Sequence, residues 1–145
     1  MTALAPRFAS VDDLLADARS RLDRVTVDQI AGELAAGARL VDIRPGWQRA
    51  DEGEIPGALV IERNHLEWRL HPESSARLAD AIHGQRWIVV CSAGYTSSLA
   101  ADALGSLGVD ATDLVGGFQA WEAAGLPTVL SIGRTVTEPG QVVRE

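Results

Sequence analysis

Cys91 is the only cysteine in the chain, and its setting suggests a chemistry. The apolar run Trp87-Ile88-Val89-Val90 leads into Cys91-Ser92-Ala93-Gly94-Tyr95-Thr96-Ser97, and Ser98 to Leu104 follows with helical spacing. A thiol between the end of a strand and the start of a helix can be ringed by backbone N–H groups. The helix dipole there favours the thiolate, which is the nucleophilic form. Apart from Tyr95, the residues from Ser92 to Ser97 are small. A loop of this kind can curl until several N–H groups point at one centre, a nest for an anion. Gly94 permits a positive φ or a close backbone approach, and Thr96 and Ser97 add hydroxyl donors that can also cap the next helix. The plain alternative is a small buried hydrophobe in an ordinary strand-to-helix connection.

The elements that must position this loop can be read from periodicity and punctuation. Ser10 to Leu22 sets Val11, Leu14, Leu15, Ala18 and Leu22 on one face of an amphipathic helix, with Asp12 and Asp13 in its first turn. Thr26-Val27-Asp28-Gln29 reads as a capping box opening a short helix through Leu34, stopped near Gly37. Arg39 to Ile43 reads as a strand ended by Pro45-Gly46, Ile55-Pro56-Gly57 as a turn, and Ala58 to Ile61 as a second strand. Asn64 with Glu67 resembles a cap for a helix over Leu66 to Leu70, and Pro72 forces a restart into a helix from Glu73 to about His83. After the strand ending at Cys91 come a helix from Ser97 to Leu107, a strand from Ala111 to Val115, and a helix from Phe118 to Ala124.

Continuous apolar strands alternating with helices predict an α/β fold, a mostly parallel central sheet with helices on both faces. Sites in such sheets form at the carboxyl ends of strands, where both Asp42-Ile43-Arg44 and Cys91 fall. Residues 1–25 read as an extension with one amphipathic helix, 26–130 as the main domain, and 131–145 as a polar tail.

Composition bounds the function classes. A length of 145 residues, 46% hydrophobic and 23% charged, fits one soluble globular domain. The net charge of −7 argues against a general affinity for nucleic acid or an anionic membrane. A single cysteine excludes an intrachain disulfide, and no Cys/His cluster has the spacing of a zinc site. The segment from Met1 to Phe8 lacks the apolar core of a signal peptide, and no apolar run is long enough to span a bilayer. The expected compartment is therefore the cytoplasm, where a free thiol stays reduced.

Five pieces of the sequence, in order, resemble a rhodanese-like sulfurtransferase domain of the single-domain rhodanese family. They are Leu40-Val41-Asp42-Ile43-Arg44; Gly53-Glu54-Ile55-Pro56-Gly57-Ala58; Ile88-Val89-Val90-Cys91 with Gly94, Thr96 and Ser97; Leu107-Gly108; and Leu114 to Trp121 before Ala124-Gly125-Leu126-Pro127. The likeness runs from Thr26 to Pro127. It implies a rhodanese-like fold and a catalytic Cys91 that takes a sulfane sulfur from a small-molecule donor and carries it as a persulfide. A thiol or cyanide acceptor then removes the sulfur, a covalent cycle with ping-pong kinetics. The amides of Ser92, Ala93, Gly94, Tyr95, Thr96 and Ser97 would hold the anionic sulfur. The resemblance implies no metal and no organic cofactor, and it names no partner protein. A non-catalytic rhodanese-like module, binding a partner or sensing redox state through Cys91, is the alternative.

Some positions depart from the family pattern. Glu54 stands where relatives often carry histidine, a change at the rim to which no chemistry is assigned. Thiosulfate-using relatives often place Arg or Lys in the loop, whereas Ser92 and Ala93 supply no cation, which leaves persulfides or mercaptopyruvate-like donors open. A cysteine phosphatase needs an arginine six positions after the nucleophile to fork onto phosphate; that position is Ser97.

Asp42, Arg44 and Trp47 are pocket candidates. Arg44 would lend positive potential to a donor, although a structural ion pair between the sheet end and a neighbouring loop is the favoured reading. Arg49, Arg63 and Arg69 read as solvated surface charges, Trp47 and Trp68 as possible pocket walls, and Trp87 and Trp121 as core. His65, His71 and His83 share no metal-ligand spacing and read as surface or capping residues.

Overall fold

The apolar runs assemble as parallel strands because each is followed by a segment that returns across the sheet. The computed structural model describes residues 4–130. In chain order the elements are α1 (Val11–Arg19), a 3₁₀ turn (Val27–Gln29) running into α2 (Ile30–Ala35), β1 (Arg39–Asp42), α3 (Gly46–Glu52) and β2 (Leu59–Val60). They continue with a 3₁₀ turn (Arg63–His65) running into α4 (Leu66–Leu70), then β3 (Arg86–Val90), α5 (Thr96–Gly105), β4 (Asp110–Asp113) and α6 (Gly117–Ala123). The sheet order is β2-β1-β3-β4, and every pairing is parallel. No described helix is long and apolar enough to cross a membrane.

Alternation along β3 feeds two cores, one on each face of the sheet. Trp87 and Val89, with Cys91 beyond them, pack with Val41, Leu59, Leu66, Leu70 and Leu104. Ile88 and Val90 pack on the other face with Leu40, Ile30, Leu114, Phe118 and Trp121. Thus α4 and α5 cover one face, and α2 and α6 the other. Burying a side chain such as Phe118, 1% exposed, contributes about 1.5–3 kcal/mol.

Local chemistry accounts for the ends. Ser10 Oγ accepts from Asp13 N–H (3.0 Å) at the start of α1, and Gln29 Oε1 accepts from Thr26 N–H (2.9 Å) at the next helical segment. Just beyond the end of β4, Val25 forms a parallel bridge with Leu114. Its N–H donates to Asp113 O (3.0 Å), and its carbonyl accepts from Val115 N–H (2.8 Å). This brings the end of the N-terminal extension to the carboxyl edge of the sheet.

Three expectations need correction. The helix from Glu73 to His83 does not form; the segment is a run of turns. Ser74 Oγ accepts from Ala76 N–H (3.1 Å), and Leu78 N–H donates back to Arg69 O (2.9 Å), so local side-chain bonding and a tie to α4 displace the helical ladder. Asn64 caps nothing: α4 begins after His65 with no side-chain cap, and Glu67 instead accepts from Arg63 Nη1 (2.7 Å). Finally, Pro45-Gly46 does not merely end a strand but opens α3, with Pro45 in the flanking position where no N–H is required. The polar tail expected from Ser131 lies outside the described residues.

Candidate active site

Cys91 directly follows β3 in the middle of the sheet's carboxyl edge and is 4% exposed. Two backbone amides meet its sulfur: Gly94 N–H donates to Sγ at 3.2 Å and Ser97 N–H at 3.4 Å. The loop thus closes on the thiol. Of the six expected amides, Gly94 and Ser97 N–H are the ones bonded to it, the second within the first turn of α5; those of Ser92, Ala93, Tyr95 and Thr96 make no hydrogen bond to it.

Two glycines make that closure possible. Gly94 has φ +87°, and a Cβ there would lie 2.7 Å from Gly116 N. Gly117 has φ +58°, and a Cβ there would lie 2.3 Å from Cys91 O. The backbones thus touch where no side chain fits. Phe118 N–H donates to Cys91 O (2.8 Å) and Gln119 N–H to Ser92 O (3.0 Å). The start of α6 thereby draws two loop carbonyls outward, while amides of the same loop turn toward the sulfur.

Behind the loop lies a charged network. Asp113, fully buried at the end of β4, accepts from Ser97 Oγ and Ser98 Oγ at 2.7 Å each. It also accepts from Arg24 Nε (2.9 Å) and Arg24 Nη2 (3.1 Å). Arg24 Nη2 donates to Gly94 O as well (3.0 Å). Arg19, in the last turn of α1, donates from Nη2 to Gly94 O (2.7 Å) and from Nε to Ser98 Oγ (3.0 Å). A buried carboxylate with this many donors is satisfied in charge and in hydrogen bonding.

The flank nearer α3 carries the opposite balance. Ser92 Oγ donates to Glu52 Oε2 (2.8 Å) and accepts from Gln119 Nε2 (3.1 Å). Glu52 also pairs with Arg44 (3.0 Å), whose guanidinium is forked onto Asp42 and lies 4.2 Å from the centre of the Phe118 ring. Arg44 and Asp42 are each 1% exposed. Burial pulls the Arg44 pKa down, but its bonds to Asp42 and Glu52 outweigh that and hold it above the usual arginine range.

The structure brings Cys91 together with Ser92, Ala93, Gly94, Tyr95, Thr96 and Ser97 in one loop. The Ser97 hydroxyl faces Asp113 instead of capping α5, which begins after Tyr95 with no side-chain cap. Thr96 is exposed, and Tyr95, 64% exposed, has the Arg19 guanidinium 5.9 Å from its ring centre. Asp42 and Arg44 form the buried ion pair, while Trp47 sits 71% exposed in the first turn of α3. Trp68 lies elsewhere, lining a groove of about 380 Å³ with His71, Ala103 and Leu107 toward the far end of α5.

Arg49 is not a solvated charge: α3 carries it inward, where it donates to Arg44 O (3.3 Å) and Glu54 (3.3 Å). Sequence reasoning did not find Arg19, Arg24, Ser98 or Asp113. Arg19, Arg24 and Asp113 reach the loop across the fold, and Ser98 joins it through the bond to Asp113; residue type alone carried no signal for that.

Residues 26–124 match the model of the rhodanese-like domain family. A solved structure from Rhodopseudomonas palustris, described as a protein of unknown function and possible tyrosine phosphatase, is similar at a TM-score of 0.76 and 26% identity. That match covers 88% of this chain and 98% of the other. The thiosulfate sulfurtransferase of Pseudomonas aeruginosa is similar at a TM-score of 0.59 and 28% identity, over 76% of this chain but 20% of that one. A rhodanese-related protein from Thermoplasma volcanium shares the fold at a TM-score of 0.60 and 23% identity, over 74% of this chain and 97% of its own. No curated protein matches the chain.

Proposed function

The chain belongs to the rhodanese-like domain family, and from that premise we propose that it is a sulfurtransferase working through a persulfide on Cys91. The observation that carries the reading is the pair of amides, Gly94 N–H and Ser97 N–H, directed at Cys91 Sγ. A nest of backbone donors stabilises sulfur while it is anionic, before and after it gains a second sulfur.

With Cys91 as thiolate, the first half-reaction is attack on the outer sulfur of a donor persulfide. The new S–S bond forms on Cys91, the donor's own S–S bond breaks, and the donor leaves as a thiolate. In the second half-reaction an acceptor thiolate or cyanide attacks the outer sulfur of the Cys91 persulfide. The Cys91 thiolate is released, and the acceptor keeps the sulfur. Neither step needs an external oxidant or reductant. A reducing compartment, which the cytoplasm offers, keeps the thiol free for the cycle.

The donor class follows from charge. Residues 92–97 include no basic side chain, and the Glu52 carboxylate is bonded to Ser92. A singly charged or neutral persulfide suits this loop, which has one net positive charge behind it once Asp113 answers Arg24, better than dianionic thiosulfate. The likeness to a possible tyrosine phosphatase does not favour phosphate chemistry here. Ser97 occupies the position of the phosphate-forking arginine, and its hydroxyl is turned onto Asp113.

The test is intact-mass analysis of the full chain after exposure to a low-molecular-weight persulfide, mercaptopyruvate and thiosulfate. The expected result is a gain of one sulfur on the wild type, greatest with the persulfide, and no gain on Cys91→Ser. A wild type that takes sulfur from none of these donors overturns the enzymatic reading and leaves the non-catalytic module.

A further inference from the structure

The family match begins at residue 26, yet two side chains that precede it reach the reactive loop. We infer that Arg19 and Arg24 are positioning residues for Cys91: together they fix the Gly94–Tyr95 peptide and supply the positive charge that the loop itself lacks. The inference rests on the sulfurtransferase reading for its rate prediction, but not for its electrostatic one.

The Gly94 carbonyl accepts from Arg19 Nη2 (2.7 Å) and Arg24 Nη2 (3.0 Å). In a planar trans peptide the C=O and the following N–H point in opposite directions. Holding the Gly94 carbonyl on the arginine side therefore turns Tyr95 N–H away from the guanidiniums. It also pins Gly94 itself, whose own N–H meets Cys91 Sγ at 3.2 Å.

The second arginine contact reinforces the other amide. Arg24 is forked onto Asp113, and Asp113 holds the hydroxyl of Ser97, whose N–H is the second donor to the sulfur. Gly94 is thus held directly by both guanidiniums, and Ser97 is anchored to Arg24 through Asp113.

Charge supports the same role. Two arginines and one carboxylate leave a net positive charge on this side of the loop, the side away from Glu52. Arginine suits the task because its planar fork binds a carboxylate and a carbonyl together and stays charged at any working pH. Neither arginine is part of the loop, so a scan for a basic residue between Cys91 and Ser97 misses them both.

The test uses full-length Arg19→Gln, Arg24→Gln and the double variant, the matching lysine variants, and Arg21→Ala as a control. Arg21 binds α1 to α5 through Asp102 (2.7 Å) without touching the loop. Sulfur loading of Cys91 from the persulfide donor should slow about tenfold in the double glutamine variant, the scale of one lost charged hydrogen bond. The loss should fall on the loading rate at saturating donor, with lysine restoring part of it and Arg21→Ala loading at the wild-type rate.

A second readout needs no sulfur transfer. Iodoacetate and iodoacetamide alkylate the same thiolate and differ in charge, so their rate ratio at Cys91 reports local potential whatever the thiolate fraction. The ratio should fall in the glutamine variants and hold in the lysine variants. Wild-type loading with unchanged rate and ratio in folded glutamine variants overturns the inference. A wild type that takes no sulfur overturns the sulfurtransferase reading instead, and the alkylation ratio still decides the role of the arginines.

Discussion

Gly94 combines a left-handed φ of +87° with a Cβ position 2.7 Å from Gly116 N, so even alanine meets both backbone strain and a clash. Gly94→Ala should destabilise the chain by about 1–3 kcal/mol and tilt the amide that faces Cys91. Sulfur loading on Cys91 should then fall in protein that remains folded by circular dichroism, and an unchanged loading rate would contradict the amide ring. Asp113→Asn tests the support behind that ring. The amide keeps the shape but loses the charge that answers Arg24, and it cannot accept from every donor now aimed at the carboxylate. Breaking a buried pair costs about 3–5 kcal/mol; the lower end is expected, since Arg24 still reaches solvent at 18% side-chain exposure. Urea unfolding midpoints measure it. Cys91, Gly94 and Ser97 were legible in sequence because their relation is local. Arg19 and Arg24 reach Gly94 across 75 and 70 residues, and Asp113 meets Arg24 across 89. Residue type and spacing hold no trace of such partners.

Among the elements, the ones that read correctly are those whose pattern is their own. The run Trp87 to Val90, rich in β-branched residues and bounded by a loop of small residues, reads as a buried strand and packs alternately into two cores. By contrast α3, only seven residues long, carries no apolar stripe, and its existence depends on how Arg49 and Glu52 pair once the sheet is formed. The segment from Glu73 to His83 failed in the opposite sense: its helical spacing was outweighed by serine–backbone bonds and by the tie from Leu78 to Arg69. Two junctions between elements can be tested. At the contact of α6 with the loop, Gly117→Ala would put a Cβ 2.3 Å from Cys91 O. The helix must then withdraw, lose the Phe118 N–H bond to Cys91 O, and slow sulfur loading with Cys91 still present; hydrogen exchange at Phe118 should accelerate. At the contact of α1 with α5, Arg21 donates to Asp17 and to Asp102. The hydrogen bond from Arg21 holds the Asp17 carboxyl below its ordinary 3.8. Because the folded value lies below the unfolded one, this contribution is whole above pH 3.8 and fades as pH falls through the lower folded value. Asp17 is solvent-exposed, so the effect on stability is small. In Arg21→Ala the Asp17 carboxyl midpoint, followed by NMR, should move up toward 3.8.

For the whole molecule, the question is where the working unit begins. The family match starts at residue 26, which would make the first helix an appendage. The similar Rhodopseudomonas palustris structure covers 88% of this chain, more than that segment. The packing gives a physical reason for the longer unit. Val25 pairs with Leu114 at the sheet's carboxyl edge, Arg24 answers the fully buried Asp113, and Arg19 returns from α1 to the loop. A chain beginning at Val25 keeps the sheet and Cys91 but leaves the Asp113 carboxylate with serine hydroxyls and no cation. A buried charge stripped of its partner costs about 3–5 kcal/mol, a large share of the 5–15 kcal/mol typical of a domain. The shortened chain should therefore unfold at markedly lower urea than the full chain. Asp113→Asn in the shortened chain should recover part of the loss, although the same substitution harms the full chain. That reversal of sign separates a missing counter-charge from a general loss of packing: equal damage in both chains would make α1 a packing element only.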